Sequence, residues 1–193
     1  MEKALVEAGL RYTRADRITD VAAEAIAGGR IIGWFQDRME CGPRALGNRS
    51  ILADPRGHDT KDRLNEKVKH REPFRPFAPS CRVERSGEYF ASGYPSPVML
   101  LVFDVLEHQR DRVPAITHAD GSARVQTVSR SDNPLYYELI SRFEELTGVP
   151  MVVNTSFNDN EEPIVCTPAE AVSCYLRTDM DALALGPFWT EKA

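Results

Sequence analysis

Apolar positions recur along this chain with two spacings, and the change from one to the other marks out the elements. Ile18, Val21, Ala22, Ala25 and Ile26 fall at i, i+3, i+4, i+7 and i+8, which predicts a helix over 16–28 closed by Gly28-Gly29. The run RIIGWF (30–35) then predicts a buried strand, so helix, glycine pair and strand form an α/β connection. Residues 50–53 predict a short strand. Residues 59–69 predict a polar helix with Leu64 and Val68 turned inward, and 77–83 a further strand. The run VMLLVFDV (98–105) is apolar enough for a central strand, and 124–129 alternates as a strand does. Leu135, Leu139, Phe143 and Leu146 form one stripe, predicting a helix over 134–146 closed by Gly148. A strand over 149–153 follows. Thr167 as N-cap and Pro168 in the first turn predict a helix over 168–177, and 182–185 is the last predicted strand. No internal repeat or linker interrupts the series, so a single α/β domain is expected.

Composition narrows the class. The chain has 193 residues, is 42% hydrophobic and 27% charged, and carries a formal net charge of -5. A net acidic chain argues against general nucleic-acid affinity. The charge is uneven, however: residues 30–85 hold 13 Lys and Arg against 8 Asp and Glu. A basic segment in an acidic chain fits a local anion site, or simply a solvated charged face. Cys41, Cys81, Cys166 and Cys174 show no C-x-x-C spacing, and no signal peptide is evident, so reduced thiols in the cytoplasm are expected. No apolar run approaches the length of a membrane span.

Three loops combine glycine or proline with polar groups. In ECGPRALGNRS (40–50), Gly42 and Gly47 permit unusual backbone angles, while Arg44 and Arg49 offer planar forks for phosphate or carboxylate. The alternative is a turn whose arginines pair with Glu40 and Asp54. In KVKHREPFRPFAP (67–79), Lys67, Lys69 and Arg71 alternate and would share a face in extended chain, and Phe74 and Phe77 could hold the stem of Arg75. Closely placed cations suit a polyphosphate; the alternative is an exposed basic loop. In VVNTSFNDNEEPIV (152–165), a strand runs into Asn154, Thr155, Ser156 and Asn158, small polar groups suited to a carbamoyl amide or a ribose, or to an Asx-type turn. A fourth segment, HADGSARVQTV (118–128), turns at Asp120-Gly121 and brings Arg124 as a further cation. No P-loop, G-x-G-x-x-G, H-E-x-x-H or local nucleophile signature is present, so an anion or nucleotide pocket working by positioning and electrostatics is the reading.

At WFQDRMECGPRALGNRSILADPR, KHREPFRPFAPS, THADGSARVQTV, NTSFNDNEEPIV and PAEAVSCYLRTDMDALALG the chain resembles the C-terminal domain of carbamoyltransferases of the nodulation-protein-U and cephamycin-carbamoyltransferase type. These stretches come in that family's order and span nearly all of 30–186. The resemblance implies a YrdC-like fold across 1–193: an open twisted mixed sheet flanked by helices, with a concave nucleotide-binding face. It implies that ATP and carbamoyl phosphate, with Mg²⁺, are converted to carbamoyl adenylate. Transfer to an acceptor hydroxyl, on a nodulation factor or an antibiotic, then falls to an actin-like-ATPase-fold domain that this chain lacks and that would act in cis or in trans. Carried over by motif, Lys69, Arg75 and Arg124 would be the catalytic cations, Arg44, Asn154, Ser156 and Asn158 the substrate- and nucleotide-binding residues, and no residue a metal ligand. Two positions depart from the family: Cys41 stands where an aromatic residue is usual, and Glu161 where glycine is usual, adding charge and stiffness beside the third loop. Two readings of other classes stand beside this one: an RNA-binding YrdC-like module, and a non-catalytic subunit that docks on an acceptor-domain protein.

Overall fold

The computed structural model describes residues 1–192. The chain runs α1 (Glu2–Glu7), β1 (Thr13–Arg14), α2 (Ile18–Ala27), β2 (Ile32–Phe35), β3 (Arg49–Ala53), α3 (Thr60–Arg63), β4 (Ala78–Arg82), β5 (Val102–Asp104), β6 (Ser122–Arg124), β7 (Gln126–Val128), α4 (Pro134–Thr147), β8 (Met151–Ser156), α5 (Pro168–Arg177), β9 (Ala182–Leu185) and β10 (Phe188–Glu191). Eight strands form one mixed sheet in the order β1-β10-β9-β2-β3-β8-β4-β7, parallel at β2–β9 and β4–β7 and antiparallel elsewhere. Helix α2 packs on α4 and α1 on α5, and β2 touches both α2 and α5. That cover explains why β2, β3 and β9 are buried along their whole length, and why β2 and β9 read as continuous rather than alternating apolar runs.

Local chemistry sets the ends of the helices. Thr167 and Glu170 cap α5 reciprocally, each side chain meeting the other residue's backbone N–H. Asn133 caps α4 through the Tyr136 N–H, and Gly148 ends it at φ 73°. The buried stripe of α4 is Tyr136, Leu139, Ile140 and Phe143; Leu146, expected inward, is exposed at the last turn.

The expected central strand over 98–105 does not form. Met99 takes φ 55°, and its N–H bonds back to the Ser96 carbonyl, so the extended chain is broken before Val102. Only Val102–Asp104 is a strand, in a two-stranded ribbon with β6, and Val98, Leu100, Leu101 and Val102 face solvent. The strand expected over 124–129 is split at Val125, whose N–H bonds to the Leu101 carbonyl. Upstream, β6 pairs with β5; downstream, β7 joins the main sheet beside β4. The helix expected over 59–69 continues from α3 as a wide turn at Leu64–Val68, where the Lys69 N–H bonds to the Leu64 carbonyl. Leu64 and Val68 are fully buried as expected. Helix α1 and the strands β1 and β10 lie outside the predicted elements.

Glu161 sits at φ 61°, in the left-handed region that glycine enters freely. An L-residue there costs about 1–2 kcal/mol, and glycine costs about 0.4–1 kcal/mol in added chain entropy when unfolded. Glu161→Gly is therefore expected to raise stability by up to about 1 kcal/mol, read from the urea midpoint at unchanged slope. A lower midpoint would show that the exposed Glu161 side chain contributes more than its backbone strain costs.

Candidate anion-binding site

The three polar loops meet where the ends of β8, β4 and β7 lie side by side. The 40–50 loop is shaped by one carboxylate: Glu40 Oε1 accepts from the N–H groups of Leu46 (2.6 Å), Asn48 (2.8 Å) and Arg49 (3.2 Å). Gly47, at φ 107°, presses the loop against α4, where a Cβ would come within 2.2 Å of Tyr136 Cδ1. Trp34 Nε1 donates to the Gly47 carbonyl at 2.8 Å. This seats Arg44 over the sheet.

Arg49 behaves differently from the phosphate fork expected of it. It is buried and donates to the carbonyls of Gln36, Asn48 and Asp37, with its guanidinium 3.5 Å from the Phe35 ring centre. Neither expected carboxylate pair forms, since Glu40 serves backbone N–H groups and Asp54 pairs with Arg56.

The 67–79 segment does not keep its cations on one face. His70 takes φ 44°, between Lys69 on one side and Arg71 on the other. Lys69 is 3% exposed, and its Nζ donates to the carbonyls of Ser156 (2.6 Å) and Asn158 (2.8 Å) and to Asn158 Oδ1 (2.7 Å). Lys67 lines a separate surface depression. Arg71 turns into the central hollow, held by Asn65 Oδ1 at 2.8 Å and by the Phe77 ring at 4.8 Å. Asn65 also donates to the carbonyls of Pro73 and Arg75, which fixes the loop around its own buried amide. Arg75 reaches the outer rim, paired with Glu72 at 3.0 Å; the Phe74 expected to hold its stem is exposed.

The hollow has an inner part of about 120 Å³ and an adjoining outer part of about 350 Å³. Arg44, Arg71, Phe77 and Arg124 line both. Asn154, Thr155 and Ser156 line only the inner part, and Arg75 and His118 only the outer. Among the described residues none of Arg44, Arg71 and Arg124 has an ion-pair partner, and the Nε atoms of Arg44 and Arg124 are buried without a hydrogen bond. Burial and the neighbouring Arg44 pull Arg124 below its ordinary value, and burial and Arg75 do the same to Arg71. Burial likewise lowers His118, which favours the neutral imidazole. Guanidinium groups that repel one another, with no carboxylate between them, form a site for an anion that has more than one negative oxygen.

The structure thus brings Arg44, Arg124, Asn154 and Ser156 into the inner hollow and Arg75 to its rim. It places Lys69 and Asn158 in one cluster beneath the Ser156 turn, bonded to each other. Arg71 joins the hollow although its alternation with Lys67 and Lys69 predicts a shared face for all three. Ser80 and Gln126, bonded to each other at 2.5 Å and to Asn154, gave no signal in the sequence; both are ordinary strand residues there.

Known proteins agree with this architecture. Solved structures of low identity share the fold: Sua5 of P. abyssi complexed with L-threonine (17% identical, TM-score 0.61, 90% of this chain and 47% of that one), and full-length HypF in its phosphate- and nucleotide-bound form (18%, TM-score 0.58, 91% and 22%). The sheet is accordingly a YrdC-like one. Among curated relatives, nodulation protein NolO of Bradyrhizobium diazoefficiens is 50% identical over 95% of this chain and 34% of its own length. The 3'-hydroxymethylcephem-O-carbamoyltransferase of Amycolatopsis lactamdurans is 43% identical over 95% and 35%. The chain spans about a third of the length of the curated relatives it matches. The family model described as carbamoyltransferase C-terminus matches residues 23–192, and the chain belongs to that family.

Proposed function

We propose that the hollow binds carbamoyl phosphate and the phosphates of ATP, and that the domain forms carbamoyl adenylate for transfer to an acceptor hydroxyl by a further domain. The observation that carries this reading is the meeting of Arg44, Arg71 and Arg124, without carboxylate partners, beside the neutral amide and hydroxyl of Asn154 and Ser156. The relatives' carbamoyltransferase names and the nucleotide-bound HypF neighbour support it.

In this reading one water cleaves the O–P bond of carbamoyl phosphate, leaving carbamate and phosphate. A carbamate oxygen attacks the α-phosphorus of ATP. A new O–P bond forms, the α–β bridging bond breaks, and pyrophosphate leaves with the electron pair. Arg44, Arg71 and Arg124 hold the charge that develops on the phosphoryl oxygens, and Arg75 meets the outer phosphates. No carboxylate lines the hollow, and among the described residues no group of three His, Cys, Asp or Glu could hold a metal. The residues present therefore do not make a Mg²⁺ site of their own, and the ion belongs to the nucleotide substrate. No base that could activate an alcohol lines the inner hollow, which fits an acceptor held elsewhere.

Lys69 acts here through position. An ammonium has three N–H donors and no lone pair, and three oxygens accept from it. It ties the turn after β8, and with it Ser156, to the end of the wide turn that leads to Arg71. Burial first, and Arg71 second, push Lys69 down to about 7. Asp159 reinforces the tie by bonding His70 Nδ1 at 2.9 Å.

Purified chain incubated with ATP, Mg²⁺ and carbamoyl phosphate is expected to release pyrophosphate only when all three are present. Arg44→Ala and Arg124→Ala should each slow that release roughly 10²- to 10³-fold with unchanged far-UV dichroism. Release that persists at the wild-type rate in both variants would remove these residues from the reaction, and its absence in the wild type, in a chain that also fails to bind ATP in calorimetry, would remove the proposal. Lys69→Met should destabilise the fold by about 2–3 kcal/mol, since three oxygens lose their N–H donor. The folded chain holds the Lys69 proton less tightly than the unfolded chain, whose lysine titrates at 10.5. Between those values the unfolded state binds more protons, so the contribution of Lys69 to stability rises with pH. The stability gap between wild type and Lys69→Met should accordingly widen from pH 7 to pH 9 in urea titrations; a gap that narrows contradicts the depressed value.

A further inference from the structure

We infer that Ser80 and Gln126 are positioning residues that lock the Asn154 amide with its oxygen toward the substrate, and that this makes the hollow select an acyl phosphate bearing an N–H. The inference rests on the carbamoyl-adenylate reading and adds to it the basis on which the acyl group is chosen.

Asn154 on β8, Ser80 on β4 and Gln126 on β7 lie on three adjacent strands, with Ser80 opposite Gln126 in the ladder. All three are buried; Asn154 is 1% exposed and lines the inner hollow. An amide side chain can present either its oxygen or its nitrogen, and here fixed backbone groups decide. Gln126 Nε2 donates to the Leu46 carbonyl at 2.9 Å, which turns Gln126 Oε1 toward Ser80 and Asn154. Ser80 Oγ donates to that oxygen at 2.5 Å and so offers Asn154 only a lone pair. Asn154 Nδ2 meets three acceptors: Ser80 Oγ (2.9 Å), Gln126 Oε1 (3.0 Å) and the Ala45 carbonyl (3.1 Å). Flipping the amide would set its oxygen against the Ala45 carbonyl and Gln126 Oε1. The polarity is thus imposed by two consecutive carbonyls of the 40–50 loop, those of Ala45 and Leu46.

With its nitrogen spent inward, Asn154 keeps Oδ1, which is buried and has no partner. A buried acceptor without a donor costs about 1–3 kcal/mol, so it favours any ligand that supplies one. The neighbouring cations take up the phosphoryl oxygens. What remains for Oδ1 is the other end of the acyl phosphate, where carbamoyl phosphate carries an NH₂ and the near-isosteric acetyl phosphate carries a methyl. The amide donates to Oδ1; the methyl leaves it unmatched. Sites built to hydrogen-bond a substrate group reject the analogue that lacks it far more strongly than shape alone allows.

Pyrophosphate release is to be compared with carbamoyl phosphate and acetyl phosphate as the acyl donor. The wild type should prefer carbamoyl phosphate by roughly 50-fold or more in kcat/KM. Asn154→Ala and Gln126→Leu should bring the two donors within about fivefold of each other, while in Gln126→Leu, a residue that does not line the hollow, ATP affinity in calorimetry changes by less than about threefold. Ser80→Thr, which keeps the hydroxyl, should retain the preference. A wild type that uses acetyl phosphate within about fivefold of carbamoyl phosphate overturns the inference without need of any variant. So does a preference that survives intact in both Asn154→Ala and Gln126→Leu. In either case pyrophosphate release with carbamoyl phosphate leaves the adenylate reading standing, whereas a wild type that releases none with either donor takes both down.

Discussion

Mutual repulsion among guanidinium groups is the constraint around which this domain is arranged. Arg44, Arg71 and Arg124 face one hollow with no carboxylate among them, and burial makes the charges of Arg71 and Arg124 harder to hold. Such a cluster persists only if the segments that carry it are fixed by something other than the charges. Hydrogen bonds made outside the hollow do this. Glu40 spends one oxygen on three backbone N–H groups, Asn65 spends its amide on two carbonyls and on Arg71, and Gly47 lets the first loop lie flat on Tyr136. Arg30, Arg63 and Arg177 contrast with this, since each faces an acid.

Backbone strain is concentrated in the same places. Of the four non-glycine residues with positive φ among the described residues, His70 separates Lys69 from Arg71, Met99 lines the inner hollow, Glu161 follows the turn held by Lys69, and Asp37 offers its carbonyl to Arg49. Positions of this kind cost about 1–3 kcal/mol each and survive where surrounding contacts over-determine them. At His70 the strain does visible work, because it sends two cations two residues apart into different tasks. Lys69 organises the turn after β8, and Arg71 faces the anion site. The ends of β8 and the 67–79 segment are therefore one unit, and loosening either loosens both.

The pattern of apolar positions is enough to read most of the sheet and the long helices, because burial on both faces leaves an unbroken apolar run and because capping residues are local. Thr167, Pro168 and Gly148 did at the helix ends what their chemistry dictates. The run VMLLVFDV misled for the same reason: hydrophobicity says that a segment can be buried, not that a turn at Met99 will keep it from extending. Among the site residues, arginines and small polar groups in glycine- and proline-bearing loops were legible as a set. Their directions were not. Lys69 and Arg71 have the spacing of neighbours on one strand face, and only a positive φ between them tells them apart. Arg49 looked like Arg44 and is instead spent on carbonyls and on Phe35. Ser80 and Gln126 carry no motif, since their role arises from sheet register, which brings together residues 46 positions apart.

The hollow is graded from its floor to its rim, and in the proposed reaction the grading orients the substrate. Its inner part is small and ends in neutral groups, the Asn154 oxygen and the Ser156 hydroxyl; its outer part is about three times larger and ends in the exposed Arg75. A molecule with one neutral polar end and one polyanionic end gains most by placing the neutral end deep, because desolvating a charge costs more than desolvating an amide. Arg44 and Arg124 stand at the junction, where they reach phosphoryl oxygens from either part. In the proposed reaction this grading suits a small acyl phosphate at the floor and a nucleotide's phosphates at the rim, with Arg44 and Arg124 lining both parts.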